Sequence, residues 1–168
     1  MTAQEFLKAG RLDDALKAIQ SVVRDDPANS KPRIFLFQLL SVMGDWQKAN
    51  TQLQVLSEMD PESALLARVF ETVLLGEVSR AAVFAGKRTP IIFGEPPEWI
   101  GQLVKALELF SQGEFQAGAE LRYQAFEAAP ASSGIINGEP FEWIADADER
   151  LGPSLEVLLE GEYYWVPF

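Results

Sequence analysis

Three carboxylates within four residues, Asp146, Asp148 and Glu149, are the densest set of possible ligands or acid–base groups in this 168-residue sequence. Such oxygens hold hard cations, and a pair of them is what glycoside hydrolysis requires. The sequence around them supports neither chemistry. No glutamate closes a twelve-residue calcium loop, and no segment supplies a sugar-binding cleft. Arg150 follows as a local partner, so a solvated acidic turn is the expected state. Cysteine and histidine are both missing from the sequence, which removes disulfides, thiolate and ordinary zinc chemistry and histidine general-base catalysis. Without a phosphate-cradling glycine loop as well, the sequence predicts no catalytic residue, no metal, no cofactor and no enzyme activity.

What remains are side chains suited to recognition. Aromatic and arginine side chains dominate interface hot spots. Trp99 and Trp143 each follow an acidic residue just after a proline-containing loop, and read equally as interface residues or as caps on the fold. Arg33 and Arg68 stand on helices expected to face a groove, with Phe37 one turn from Arg33; the competing reading is ordinary surface arginines and a core phenylalanine. The expected partner-binding set is therefore Arg33, Phe37, Arg68, Trp99 and Trp143. The formal net charge of −11 argues against nucleic acid, which needs a basic face, and against an anionic membrane surface. A basic or apolar protein partner is compatible with it.

The elements that position these residues follow from a repeat. Gly10–Pro27 and Gly44–Pro61 are in 34-residue phase, with Ala15 and Ala49 in step, and Gly113–Pro130 repeats the glycine-to-proline interval of 17 with Gly118 at the alanine position. The period and punctuation resemble the tetratricopeptide (TPR) repeat. The glycines fit turns between paired helices, and the prolines close each unit. Leu12, Trp46 and Phe115 are expected to fill the gap within each helix pair, with Trp46 structural for that reason, and the small residues mark where helices cross.

Taken in order, the spacing predicts helices over 2–9, 13–24, from Ser30 with Pro32 in its first turn, and after Asp45. Residues 61–86 leave the repeat phase and form one long helix, with Gly76 as the place for any break. Lys87–Pro97 reads as a loop in which Ile91, Ile92 and Phe93 plug a gap. Helices from Glu98 and over 115–128 complete the third pair. Ala131–Gly138 reads as a linker, and 140–151 as a short helix with a strand over Phe141–Ala145 as the alternative. At the end, SLEVLL and EYYWVPF flank Glu160-Gly161 as a β-hairpin. A lone hairpin is marginal in water, so it packs on the helices, pairs with another chain, or begins a larger β domain. The expected class is mainly α: a TPR-like superhelix of about seven helices over 1–130, followed by a small α+β appendage over 131–168. The N-terminus has no signal segment and the most apolar run is too short to span a bilayer, so a cytoplasmic bacterial protein is expected.

The combination GDWQKANTQLQVL, then FEWIADADERLGPSLEVLLEGEYYWVPF, resembles the ImpE/TagJ family of type VI secretion accessory proteins. Ser79-Arg80 to Gly86, Pro90 and Trp99 match the family's middle; Phe141–Gly152 and Tyr164-Trp165-Val166-Pro167 match its most specific segment. Family members continue past the Trp-Val-Pro motif into further strands, so a truncated chain or a short member is expected. The resemblance implies an adaptor that binds the N-terminal helix of the small sheath subunit TssB through a helical groove, with an indirect link to the ATPase ClpV. The alternative is an oligomerisation module that pairs through its C-terminal hairpin.

Overall fold

In a computed structural model, which describes residues 1–59 and 61–168, seven helices and five short strands follow one another. They are α1 (Ala3–Lys8), α2 (Leu12–Asp25), α3 (Ser30–Val42), α4 (Trp46–Met59), α5 (Pro61–Phe84), β1 (Ile91–Ile92), α6 (Glu98–Ser111), α7 (Phe115–Ala128), β2 (Gly134–Ile136), β3 (Glu139–Phe141), β4 (Ser154–Leu159) and β5 (Glu162–Pro167). The chain divides into two compact units, Met1–Leu75 and Gly76–Phe168. The boundary expected at residue 130 falls within the second unit.

The first unit is built from the repeat. Thr2 and Glu5 form a reciprocal capping box at the start of α1, and the Asn29 side chain accepts the Lys31 amide at the start of α3; each satisfies amides the helix leaves without a partner. Gly10 and Gly44, at φ +71° and +76°, make the turns between paired helices, a backbone region that favours glycine. Ala15 and Ala49 are completely buried where α2 and α4 meet their neighbours, beside Ile19, Leu36, Leu39, Leu40, Leu53 and Leu56. Leu12 and Trp46 pack against this core, as the repeat predicts. The opening half of α5 closes it with Ser63, Ala67 and Leu74.

In the second unit, Val83 of α5, Trp99, Ile100, Leu103 and Leu107 of α6, Ala125 of α7, Leu151, Tyr163 and Trp165 form one core. Helix α5 continues through Gly76. A β-carbon there would lie 2.6 Å from a Leu158 methyl, so this glycine allows close approach of β4 rather than a break. Gly118 does the same between α6 and α7, where a β-carbon would meet the Phe110 ring at 2.9 Å and the Ala106 carbonyl oxygen at 3.2 Å.

Four sequence expectations are corrected here. Ile91-Ile92 lies in a strand rather than a loop, with Ile92 packed on the core and Phe93 exposed: β1 runs parallel to β5, in the order β1-β5-β4, and the Phe93 amide donates to the Trp165 carbonyl. The C-terminal hairpin, with Glu160 and Gly161 both at positive φ in its turn, thus gains a third strand. The supposed linker over 131–138 contains β2, which pairs with β3 around Asn137-Gly138, again both at positive φ, as a tight two-residue hairpin requires. Residues 140–151 do not form a helix. The Asp148 amide is taken by the Asp146 carboxylate at 2.8 Å and the Arg150 amide by the Asp148 carboxylate at 2.9 Å, local bonds that compete with a helical ladder. Phe115 does not fill a gap in the third helix pair: it is 68 % exposed.

Candidate partner interface

The five expected recognition residues separate by burial. Phe37 is buried in the first unit, with its ring 5.1 Å from that of Phe70. Arg33 is anchored: one guanidinium nitrogen donates to Gln52 at 2.9 Å and another to the Pro27 carbonyl at 3.3 Å, tying α3 to α4 and to the preceding turn. Arg68 is exposed on α5. Trp99 lies inside the core of the second unit, whereas Trp143 is 69 % exposed just after β3. Within the first unit, therefore, only Arg68 of the three stands open at the surface.

Around Arg68 the structure supplies residues that the sequence placed in the long helix without giving them a role. Leu65, Val69 and Val73 recur at i, i+4 and i+8 on α5 and are exposed, with Leu65 at 67 %. That spacing places them on one helix face. Phe70, also partly open, rests on Phe37 from above. On α3, Lys31, Gln38 and Val42 are exposed at i, i+7 and i+11, again a single face. The signal was present in the sequence. Helix α5 carries apolar residues on two opposite sides: Ala67 and Leu74 identify the inward side, and Leu65, Val69 and Val73 the other.

In the second unit the side chains of the C-terminal motif satisfy one another. Glu156 on β4 accepts two bonds from the Arg80 guanidinium, at 2.6 and 3.3 Å, and one from the Tyr163 hydroxyl, which in turn accepts the Trp165 indole N–H at 2.8 Å. Burial, then the bond to Glu156, pushes the Tyr163 hydroxyl well above its ordinary pKa. The same Glu156 contact raises Arg80. The guanidinium groups of Arg80 and Arg150 both lie over the Phe84 ring, 4.8 and 4.1 Å from its centre, within cation–π range. Arg88 bridges Ser79 and Glu162. These groups clamp the β4–β5 hairpin to the later half of α5.

The acidic cluster is part of the same arrangement. Arg150 grips the Asp148 carboxylate through Nε and Nη2 and holds its pKa down at about 2. Glu149 pairs with Arg122 of α7 at 3.0 Å, and the Asp146 amide donates to the Gly152 carbonyl at 2.7 Å. Its oxygens thus serve arginines and turn amides, as the local-partner reading expects. Among the described residues, no helix is long and apolar enough to cross a membrane.

The distribution of charge differs between the units. Residues 76–168 hold 15 acidic and 6 basic side chains, against 10 and 8 in residues 1–75. The excess negative charge is therefore concentrated in the second unit.

Comparison with known proteins agrees with this anatomy. Residues 138–168 match the ImpE protein family and residues 6–69 match the tetratricopeptide repeat family. Over 167 residues the chain is 52 % identical to the "Type VI secretion system accessory component TagJ" of Pseudomonas aeruginosa, covering 99 % of this chain and 59 % of that protein. The crystal structure of protein VPA1032 from Vibrio parahaemolyticus superposes with a TM-score of 0.88 at 24 % identity, over 98 % of this chain and 62 % of that one. The chain thus spans about three-fifths of the length of either relative.

Proposed function

We propose that this chain, which matches the ImpE protein family over residues 138–168 and the tetratricopeptide repeat family over residues 6–69 and is similar to a type VI secretion accessory component, is an adaptor holding the N-terminal helix of the sheath subunit TssB. The observation that carries this reading is the open apolar stripe Leu65, Val69 and Val73 on α5, beside Arg68 and backed by Phe70 on Phe37. An amphipathic helix laid on such a face makes contacts at i, i+3, i+4 and i+7 and buries apolar area on both sides. Arg68 would meet a carboxylate of the peptide at the rim, where an ion pair orients more than it stabilises. The reading needs no catalytic step: the chain acts by holding the sheath helix and so biases sheath assembly or recycling, and any link to ClpV runs through the sheath.

Titration with a synthetic peptide of the TssB N-terminal helix, followed by tryptophan fluorescence and calorimetry, tests it. Saturable binding is expected, lost when one apolar face of the peptide is made polar. Leu65→Asp together with Val69→Asp is expected to weaken binding at least ~10-fold, in keeping with the loss of two interface side chains, while the melting temperature holds because both positions are exposed. A folded protein that ignores the peptide, or a double variant that binds it unchanged, would refute the assignment.

A further inference from the structure

Helix α7 leaves a face of the second unit open that the sheath reading does not use. In the first unit α2 is followed by α3, and Leu12, Leu16 and Ile19 of α2 are covered in their shared core. Helix α7 stands at the equivalent place in the third glycine-to-proline interval, yet no helix follows it among the described residues. The turn at 146–152 covers only the later part of α7, with Gly152 against Phe126 and Glu149 on Arg122. Another face stays open along the helix: Phe115 and Tyr123 are 68 and 62 % exposed, with Ala119 between them at i+4. A shallow depression lined by Gly113, Glu114, Phe115 and Glu120 lies at the Phe115 end of this face.

Charge indicates the occupant. The open face of α7 is bordered by Glu114, Glu120 and Glu127, all exposed, and holds no exposed cation; Arg122, the only basic residue of α7, is turned onto the Phe110 ring and Glu149. The helix that follows α2 carries Lys31 and Arg33 and no carboxylate. We propose that the Phe115–Ala119–Tyr123 stripe docks an amphipathic helix of a partner protein whose apolar face is flanked by lysine or arginine. Aromatic anchors supply the buried area, and the glutamate border selects the sign of the flanking charge. The repeat explains why the occupant is helical, since it extends the stack by one element.

The test uses the full chain and a designed 18-residue helical peptide with a leucine stripe flanked by lysines, together with its glutamate-flanked twin. Calorimetry is expected to show saturable binding of the lysine peptide. Amide chemical-shift changes should be confined to α7 and the 146–152 turn. Phe115→Ala with Tyr123→Ala should weaken binding at least ~10-fold, as loss of two aromatic anchors does, with an unchanged melting curve because both side chains are exposed. Leu65→Asp with Val69→Asp should leave it alone. Equal binding of the two peptides, an unaffected aromatic double variant, or shifts located elsewhere would overturn the proposal. So would a concentration-dependent doubling of mass that the aromatic variant abolishes, which would give the seat to a second copy of the chain.

Discussion

Asp148 shows how a residue that could have been a ligand becomes a structural anchor. Its carboxylate is held at about 2 rather than near 3.8, first by the hydrogen bonds from Arg150. A carboxyl group whose folded pKa lies below its unfolded value stabilises the fold at pH above the unfolded value. That contribution fades as pH falls toward the folded one. The pair is partly open to water, so screening reduces its worth to about 1 kcal/mol. Asp148→Asn is therefore expected to lose that much stability at pH 7 and to lose less on acidification, so that the two urea midpoints converge between pH 4 and 2. Parallel curves across that range would show that Asp148 and Arg150 do not form the pair in solution. The sequence named Arg150 as the local partner because the two are neighbours in the chain. It did not show that Arg150 also stacks on Phe84, 66 positions earlier, because a contact of that kind is created only by tertiary packing. For the same reason Phe37 and Trp99 read as recognition residues: residue type marks an interface hot spot and a core anchor alike, and only burial separates them.

At the scale of elements, the legible features were those with local causes. Gly10, Gly44 and Gly113 all adopt positive φ, as turns between helices demand, and the helix starts at Ser30 and Glu98 follow from the Asn29 cap and from proline position. The Glu160-Gly161 hairpin was readable because its turn chemistry is contained in two residues. Strand β1 was not, since two residues become a strand only when β5, more than seventy positions later, lies beside them. Gly118 makes the crossing rule testable. The repeat places alanine at the two equivalent positions, whereas here the Phe110 ring already fills the space a β-carbon needs. Gly118→Val forces α6 and α7 apart and is expected to destabilise the fold by about 1–3 kcal/mol, the usual range for overpacking. Phe110→Leu in the same chain should restore part of it. Denaturant titration of the single and double variants reads the coupling, and strictly additive effects would show that the two residues do not share the space.

For the molecule as a whole, composition forecast an acidic protein with a basic or apolar partner, and the structure shows where the excess charge is concentrated: residues 76–168. A field of that kind acts chiefly on encounter. It raises the association rate of a basic ligand and leaves dissociation to the apolar contacts formed afterwards. Its reach is set by salt, with a Debye length of about 30 Å at 0.01 M and about 3 Å at 1 M ionic strength. Glu120→Gln with Glu127→Gln removes two charges beside the Phe115–Tyr123 stripe without touching an apolar contact. Association of the lysine-flanked helix with this variant is expected to slow several-fold at the lower ionic strength and to match the parent at the higher one, with dissociation nearly unchanged at both. Phe115→Ala should do the reverse, speeding dissociation at every salt concentration. Stopped-flow measurements on the two variants separate the contributions. If the glutamine variant changed dissociation instead, the carboxylates would be contacts within the bound complex rather than sources of a guiding field, and the border of α7 would belong to the footprint itself.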